Sequence, residues 1–319
     1  MDSPIKKVIV AGATGSVGTP ILHALLACPT LSITILSRAS SHAEFPPDIP
    51  VIRVSDDFTT SELTTAFTGQ DAVVVALSTV PVTKEQGHTG LAYRLVDAAL
   101  AAGVHRFIPS EYAANNLDPR ARSLVPIYDR KGEMLSYLIA KCAEPGATLT
   151  WSSISCGLWL DWALDPAKSG NFLGIDVKAR KATVYDSGAA RFAVTTSGNA
   201  GLAVARVLLQ PDLSRNTQIF LCDFTATTQD IVRELQRQTA ETICVERKTS
   251  KDTLAALRQQ YEDGDFNASL AILATTFGAD IEAGYDFEAD QELWNEKLGL
   301  PTTTLEEVVK RAVELAARG

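Results

Sequence analysis

The most constraining stretch of this chain lies near its start, where Lys7–Ala11 (KVIVA) runs directly into Gly12-Ala-Thr-Gly15-Ser-Val-Gly18. A continuous apolar, β-branched run bounded by glycine reads as a strand buried on both faces, the pattern of a parallel sheet. Val17 to Leu26 then carries apolar residues at helical spacing, so the three glycines sit on a strand–turn–helix junction. Glycine there permits a tight turn and lets backbone N–H groups approach a phosphate on the positive end of the helix. Gly12, Gly15 and Gly18 thus fit the cradle for a dinucleotide pyrophosphate, with Thr14 and Ser16 adding hydroxyl hydrogen bonds.

The pattern that follows fits that junction. Strands are expected at Leu31–Leu36, Val51–Val54, Asp71–Leu77 and Arg106–Ile108, with helices at Ser61–Phe67 and Gly87–Ala102 between them. Gly103 stops the second of these helices. A helix over Tyr128–Cys142 and a strand over Thr148–Ser155 continue the series. Strands alternating with helices imply right-handed βαβ units. The expected fold class is α/β, a Rossmann-type doubly wound parallel sheet with a smaller C-terminal α/β part.

Beyond Ser155 the pattern changes to short strands (Ala182–Tyr185, Phe192–Thr195, Gln218–Cys222, Ile243–Glu246) and later helices (Asn199–Leu209, Gln229–Gln238, Thr253–Gln260, Thr304–Ala317). We therefore expect a nucleotide-binding domain over 1–155 and a substrate-binding region over 156–319, with some later segments returning to the first sheet. At 319 residues the chain is long enough for a large core, so no metal or disulfide staple is required.

Cofactor choice is read at the end of the second strand. An NAD site presents a carboxylate there, about 20 residues past the turn, for the ribose hydroxyls. This chain presents Ser37-Arg38-Ala-Ser40-Ser41 instead. A guanidinium with neighbouring hydroxyls suits a 2′-phosphate, and no carboxylate stands in that run to repel it. NADPH is the expected cofactor.

A formal net charge of −9 argues against nucleic acid or an anionic membrane as a partner. The five cysteines (Cys28, Cys142, Cys156, Cys222, Cys244) are dispersed without CxxC spacing, as in a reducing compartment. The four histidines (His23, His42, His88, His105) form no metal-ligand spacing, so no metal is expected. The N-terminus lacks a leader pattern and the most apolar run, Asp71–Leu77, is too short to span a bilayer. A cytoplasmic monomer or homodimer acting on a small molecule is the expectation.

Several motifs together resemble a known family. Gly12 to Gly18, Thr34-Ile-Leu-Ser-Arg38, Ala102-Gly-Val-His-Arg-Phe-Ile-Pro-Ser-Glu-Tyr112, Lys131, Leu158-Trp-Leu-Asp-Trp162 and Leu298-Gly-Leu300 carry the likeness. The chain resembles the NmrA-like, isoflavone-reductase-like branch of the atypical short-chain dehydrogenases over nearly its whole length. AGVHRFIPSEY is the most specific element, and the Trp-rich segment looks most like fungal members. The resemblance implies that Gly12, Thr14, Gly15, Ser16, Val17 and Gly18 wrap the pyrophosphate and that Arg38 meets the 2′-phosphate. It sets Ser78, Thr79 and Val80 beside the cofactor. It further implies that Ser110, Glu111 and Tyr112 line the nicotinamide side and that Lys131 contacts the nicotinamide ribose, assisting proton movement in some members.

The chain departs from the wider superfamily in one respect. The YxxxK pair is absent, because Tyr128 precedes Lys131 by three positions. The two still share a helix face. Reduction needs a group that stabilises negative charge or supplies a proton, and Lys131 is the leading candidate, with Tyr112, Glu111, Tyr128 and Glu133 as alternatives. A free lysine titrates near about 10.4, so acid–base duty requires burial or a neighbouring charge. Glu111 reads equally as a helix-start carboxylate, and Asp161 as either a proton relay or a cap. Trp159, Trp162 and Cys156, with Phe172 and Tyr185, suggest an aromatic pocket for a flat ligand.

Together these readings imply an NADPH-dependent reductase of a small aromatic or heterocyclic secondary metabolite. The acceptor would be an enone, quinone methide, benzylic ether or imine/iminium carbon, with cyclisation as an accompanying possibility. Because the tyrosine of the usual pair is missing, simple ketone reduction ranks below these. The alternative is a non-catalytic NADP-binding redox sensor of the NmrA type that docks a regulatory partner.

Overall fold

The computed structural model describes residues 4–79, 83 and 89–318. It contains two compact units, neither contiguous in sequence. The first gathers residues 1–112, 130–155 and 198–219; the second gathers 113–129, 156–197 and 220–319. The sequence reading draws one division after Ser155. In the structure a segment before that point joins the second unit, while 198–219 completes the first.

The first unit is built on a sheet of β1 (Lys7–Ala11), β2 (Ser32–Arg38), β3 (Val51–Val54), β4 (Ala72–Val75), β5 (Arg106–Ile108) and β6 (Thr150–Ser155). Its spatial order is β6-β5-β4-β1-β2-β3, with the strand Thr217–Phe220 beyond β6 as the seventh. The pairs from β3 through to β6 are all parallel. Val8, Ile9 and Val10 of β1 and Val73 and Val74 of β4 are fully buried, as the two-faced apolar runs require. β2 and β3 lie on one side of β1, while β4, β5 and β6 lie on the other. The direction of winding therefore reverses between β1 and β4, which is where doubly wound sheets bind ligands.

The register brings the site together. Ala11 pairs with both Leu36 and Val75, and Val74 pairs with Ile108. The segments that leave these strands, at Gly12, Arg38, Ala76 and Pro109, therefore emerge along one edge of the sheet. At the opposite end of β5 the buried Arg106 guanidinium donates to Thr150 Oγ1 (2.9 Å), Ser152 Oγ (2.9 Å), Ser214 Oγ (2.8 Å) and the Pro211 carbonyl (2.7 Å). Burying this cation is tolerable because its donors are matched by acceptors. The helices Gly18–Leu26 and Ser197–Leu209 meet at Gly201, where a Cβ would lie 2.5 Å from the Pro20 carbonyl.

The second unit holds an antiparallel pair, Phe192–Val194 with Phe224–Ala226, and a three-stranded sheet of Ile175–Asp176, Lys181–Tyr185 and Cys244–Lys248. Cys244–Lys248 runs parallel to Lys181–Tyr185. The helix Thr228–Thr239 starts on a capping box, in which the side chains of Thr227 and Asp230 each accept the other's backbone N–H. Among the described helices longer than one turn, Pro119–Leu124 and Ala268–Gly278 have no counterpart in the sequence reading. The second (ASLAILATTFG) is apolar nearly all round, so it shows no helical period. The helix expected from Gly87 begins at Leu91 after an N-cap at Gly90, and residues 84–88 lie outside the described ones. Among the described residues, no helix is long and apolar enough to cross a membrane.

Candidate active site

The glycine turn divides its labour. Gly12 has φ +87°, and a Cβ there would strike the Ala76 carbonyl after β4. A Cβ on Gly18 would land on the Gly12 carbonyl. Both glycines are therefore demanded by the fold itself. Gly15 is not. A Cβ there would sit 3.4 Å from the Gly12 carbonyl oxygen and 3.6 Å from that of Ala76, which is ordinary contact. Thr14, Gly15 and Ser16 are exposed, while Val17 is buried beneath them. The helix that follows has no side-chain N-cap and no acidic residue in its first turn. Its positive end is thus left for an external anion, and the bare backbone at Gly15 fits the close approach of a pyrophosphate.

At the end of β2, Ser37 is buried and its hydroxyl donates to the Arg38 carbonyl at 3.4 Å, while the Arg38 side chain is exposed. The hydroxyls that the sequence offered to a phosphate are partly spent. Ser40 donates its N–H to Asp56 Oδ1 at 3.1 Å and its hydroxyl to Asp56 Oδ2. A carboxylate therefore does stand near Arg38, supplied by the segment after β3 rather than by the run after β2. The Ser40 hydrogen bonds hold Asp56 below the ordinary carboxylate range, with the Arg38 charge a smaller cause. Sequence reading passed over Asp56 and Arg53, although alternation along β3 and its pairing with β2 set Arg53 opposite Ser37.

The segments after β4 and β5 are tied together. Ser110 donates its hydroxyl to the Leu77 carbonyl at 2.8 Å. Its own carbonyl accepts the Lys131 ammonium, which is buried on the helix Pro126–Cys142. Ser78 is exposed and Thr79 half-buried on the segment leaving β4, and Val80 lies outside the described residues. Glu111 and Tyr112 are buried in the segment leaving β5. Glu111 sits in a turn, its N–H on the Pro109 carbonyl at 2.9 Å, and starts no helix. A small cavity of about 30 Å³ lies next to it, walled by Val75, Phe107, Pro109 and Leu135. Glu133 adds to the upward push that burial exerts on the Tyr93 hydroxyl.

In the second unit Tyr128 is a core residue, packed edge-on to Tyr285 at 6.3 Å between ring centroids. Burial, and then the Tyr285 hydroxyl, push its phenol well above the usual range. Trp159 and Trp162 are half-buried and edge-on at 6.2 Å, and Trp162 packs against Phe172 at 5.4 Å. The Trp159 indole donates to the buried Cys156 Sγ at 3.0 Å, so its polar edge is engaged. Asp161 accepts the N–H of Ser197 at 3.0 and 3.2 Å and the Ser197 hydroxyl at 2.5 Å, which makes it the N-terminal cap of the helix Ser197–Leu209.

Comparison with known proteins adds four findings. A family model described as NAD(P)H-binding matches residues 12–196. Oxidoreductase aprR of Aspergillus flavus is 32% identical over 304 residues, covering 95% of this chain and 97% of that protein. The crystal structure of isoflavone reductase superposes with a TM-score of 0.72 at 14% identity, covering 96% of this chain and 99% of the other. The binary complex of leucoanthocyanidin reductase with NADPH from Vitis vinifera superposes at 0.71, also at 14% identity, with coverages of 97% and 99%. The last two are likenesses of fold.

Proposed function

The chain belongs to the NAD(P)H-binding family and is similar over its length to a fungal oxidoreductase, and on that premise we propose that it is an NADPH-dependent reductase of the isoflavone-reductase-like, NmrA-like kind that acts on a small aromatic or heterocyclic metabolite. The acceptor is an electron-poor double bond or its equivalent: an enone, a quinone methide, a benzylic ether or an imine or iminium carbon. The observation that carries the reading is the buried Lys131 ammonium fastened to the Ser110 carbonyl on the edge of the sheet where Gly12 emerges.

The bound dinucleotide supplies a hydride. The protein supplies position and charge. Gly15 and the uncapped helix start hold the pyrophosphate, and Arg38 takes the 2′-phosphate. Held on the Ser110 carbonyl, the Lys131 ammonium is the group that meets the nicotinamide ribose and a substrate heteroatom. There the cation stabilises the negative charge that develops as hydride arrives, or passes a proton to it. Trp159, its N–H already engaged by Cys156, offers a flat apolar face that suits an aromatic ligand.

The test is a fluorescence titration with NADPH and NADH, followed by turnover of aromatic enones and imines by wild type and Lys131→Ala. Tighter NADPH binding and a loss of about 10²–10⁴ in kcat with the fold intact are expected. An unchanged kcat would move the proton-handling role to Tyr112, Glu111 or Tyr128, which Tyr→Phe and Glu→Gln variants separate.

A further inference from the structure

Arg53, one strand away from Arg38, has no part in the site described so far. Its Nη1 donates to the Arg38 carbonyl at 3.2 Å and to the Ser41 carbonyl at 3.0 Å. Ser41 N–H also donates to the Arg38 carbonyl at 3.2 Å, so residues 38–41 form a closed turn with the Arg53 guanidinium on its carbonyls. Asp56 stakes the same turn from a second point through Ser40, and Ala39 N–H holds the Val54 carbonyl at 2.7 Å. The turn that presents Arg38 is therefore fastened to the segment Arg53–Asp56 along its whole length.

Two features make Arg53 more than a strut. Among the described residues, its Nε and Nη2 make no hydrogen bond or ion pair, while the side chain is exposed. Asp56, the anion of this cluster, has both oxygens committed to Ser40. Arg38 and Arg53 together outnumber it, leaving a net positive charge around one tight turn. A 2′-phosphate carries more acceptor oxygens than one exposed guanidinium satisfies, and a second arginine already anchored by one nitrogen loses little freedom on engaging it.

We propose that Arg53 is the second guanidinium of the 2′-phosphate site: one terminal nitrogen locks the Arg38 turn, and the remaining donors take the phosphate. The inference rests on the NADPH reading given above.

The experiment measures dissociation constants of wild type, Arg53→Gln, Arg53→Lys and Arg38→Gln for NADPH, NADH and adenosine 2′,5′-bisphosphate at two salt concentrations. Arg53→Gln is expected to weaken NADPH and the bisphosphate about tenfold, the loss of one charge-assisted hydrogen bond, while NADH changes less than about twofold. Its NADPH affinity is also expected to depend less on salt. Arg53→Lys keeps the charge but lacks the fork, so it falls between wild type and Arg53→Gln. If Arg53→Gln weakens NADPH and NADH equally, or neither, while Arg38→Gln still abolishes the preference, the inference is overturned and the NADPH reading stands. If wild type itself binds NADPH and NADH alike, both are overturned. Thermal unfolding of each variant checks that these exposed substitutions leave the fold intact.

Discussion

Substituting alanine at Gly15 and at Gly18 separates what the fold needs from what the ligand needs. At Gly15 the new methyl meets only ordinary contacts, 3.4 Å to the Gly12 carbonyl and 3.6 Å to that of Ala76. The backbone there is outside the left-handed region. Restricting the unfolded chain then stabilises Gly15→Ala by about 0.4–1 kcal/mol, a Tm rise of at most about 4 °C. At Gly18 the methyl lands on the Gly12 carbonyl, so turn or helix must shift. A backbone displacement of that kind costs about 3 kcal/mol or more, a Tm drop of about 6–12 °C. Binding runs the other way. On Gly15 the methyl stands on the exposed crest where phosphate oxygens approach backbone N–H groups. Losing one or two such bonds weakens NADPH about 10²-fold or more. Scanning calorimetry and fluorescence titration on both variants supply the two readouts. If Gly15→Ala binds NADPH like wild type, the bare backbone at that position serves no ligand and the cradle argument fails.

Arg106→Met is expected to lower stability by about 2–4 kcal/mol, because the Pro211 carbonyl loses its partner and the hydroxyls of Thr150, Ser152 and Ser214 lose a charged donor; chemical denaturation measures it, and a wild-type midpoint would refute it. Glu62 accepts from Ser55 and Thr59, which bring its carboxyl from 4.5 to about 2. Because the folded value is the lower one, the stabilisation is complete above pH 4.5 and disappears as pH falls towards about 2. The Tm gap between wild type and Glu62→Gln should therefore close across that window, and a constant gap would contradict the assignment. Asp161→Ala removes a helix cap worth about 1 kcal/mol. It should lower Tm and leave the pH profile of kcat in place, whereas a displaced profile would restore the relay reading.

Much of the first unit is legible in the sequence because its signals are local. A buried strand such as Val8–Val10 announces itself by composition, and a turn such as Gly12–Gly18 by backbone chemistry. The site was harder to read wherever partners come from distant segments. The run after β2 shows Arg38 and serines, but Asp56, which occupies Ser40, belongs to the segment after β3. Tyr128 and Lys131 share one helical face in the sequence pattern, yet the structure assigns residue 128 to the second unit and residue 131 to the first. The second unit is the least legible, since the helix Ala268–Gly278 is apolar nearly all round and leaves no period to detect.

The first unit takes its last helix and strand from residues 198–219. That fixes an order of events on the ribosome. A chain synthesised only as far as residue 155 carries the residues of β1 to β6 but lacks Gly201, which packs on Pro20 of the helix Gly18–Leu26. Arg106 likewise waits for Pro211 and Ser214 to complete its shell of acceptors. An N-terminal fragment ending at Ser155 would thus expose an apolar helix face and a half-solvated buried cation. The nucleotide-binding half of this protein is finished only after part of the other half has been translated.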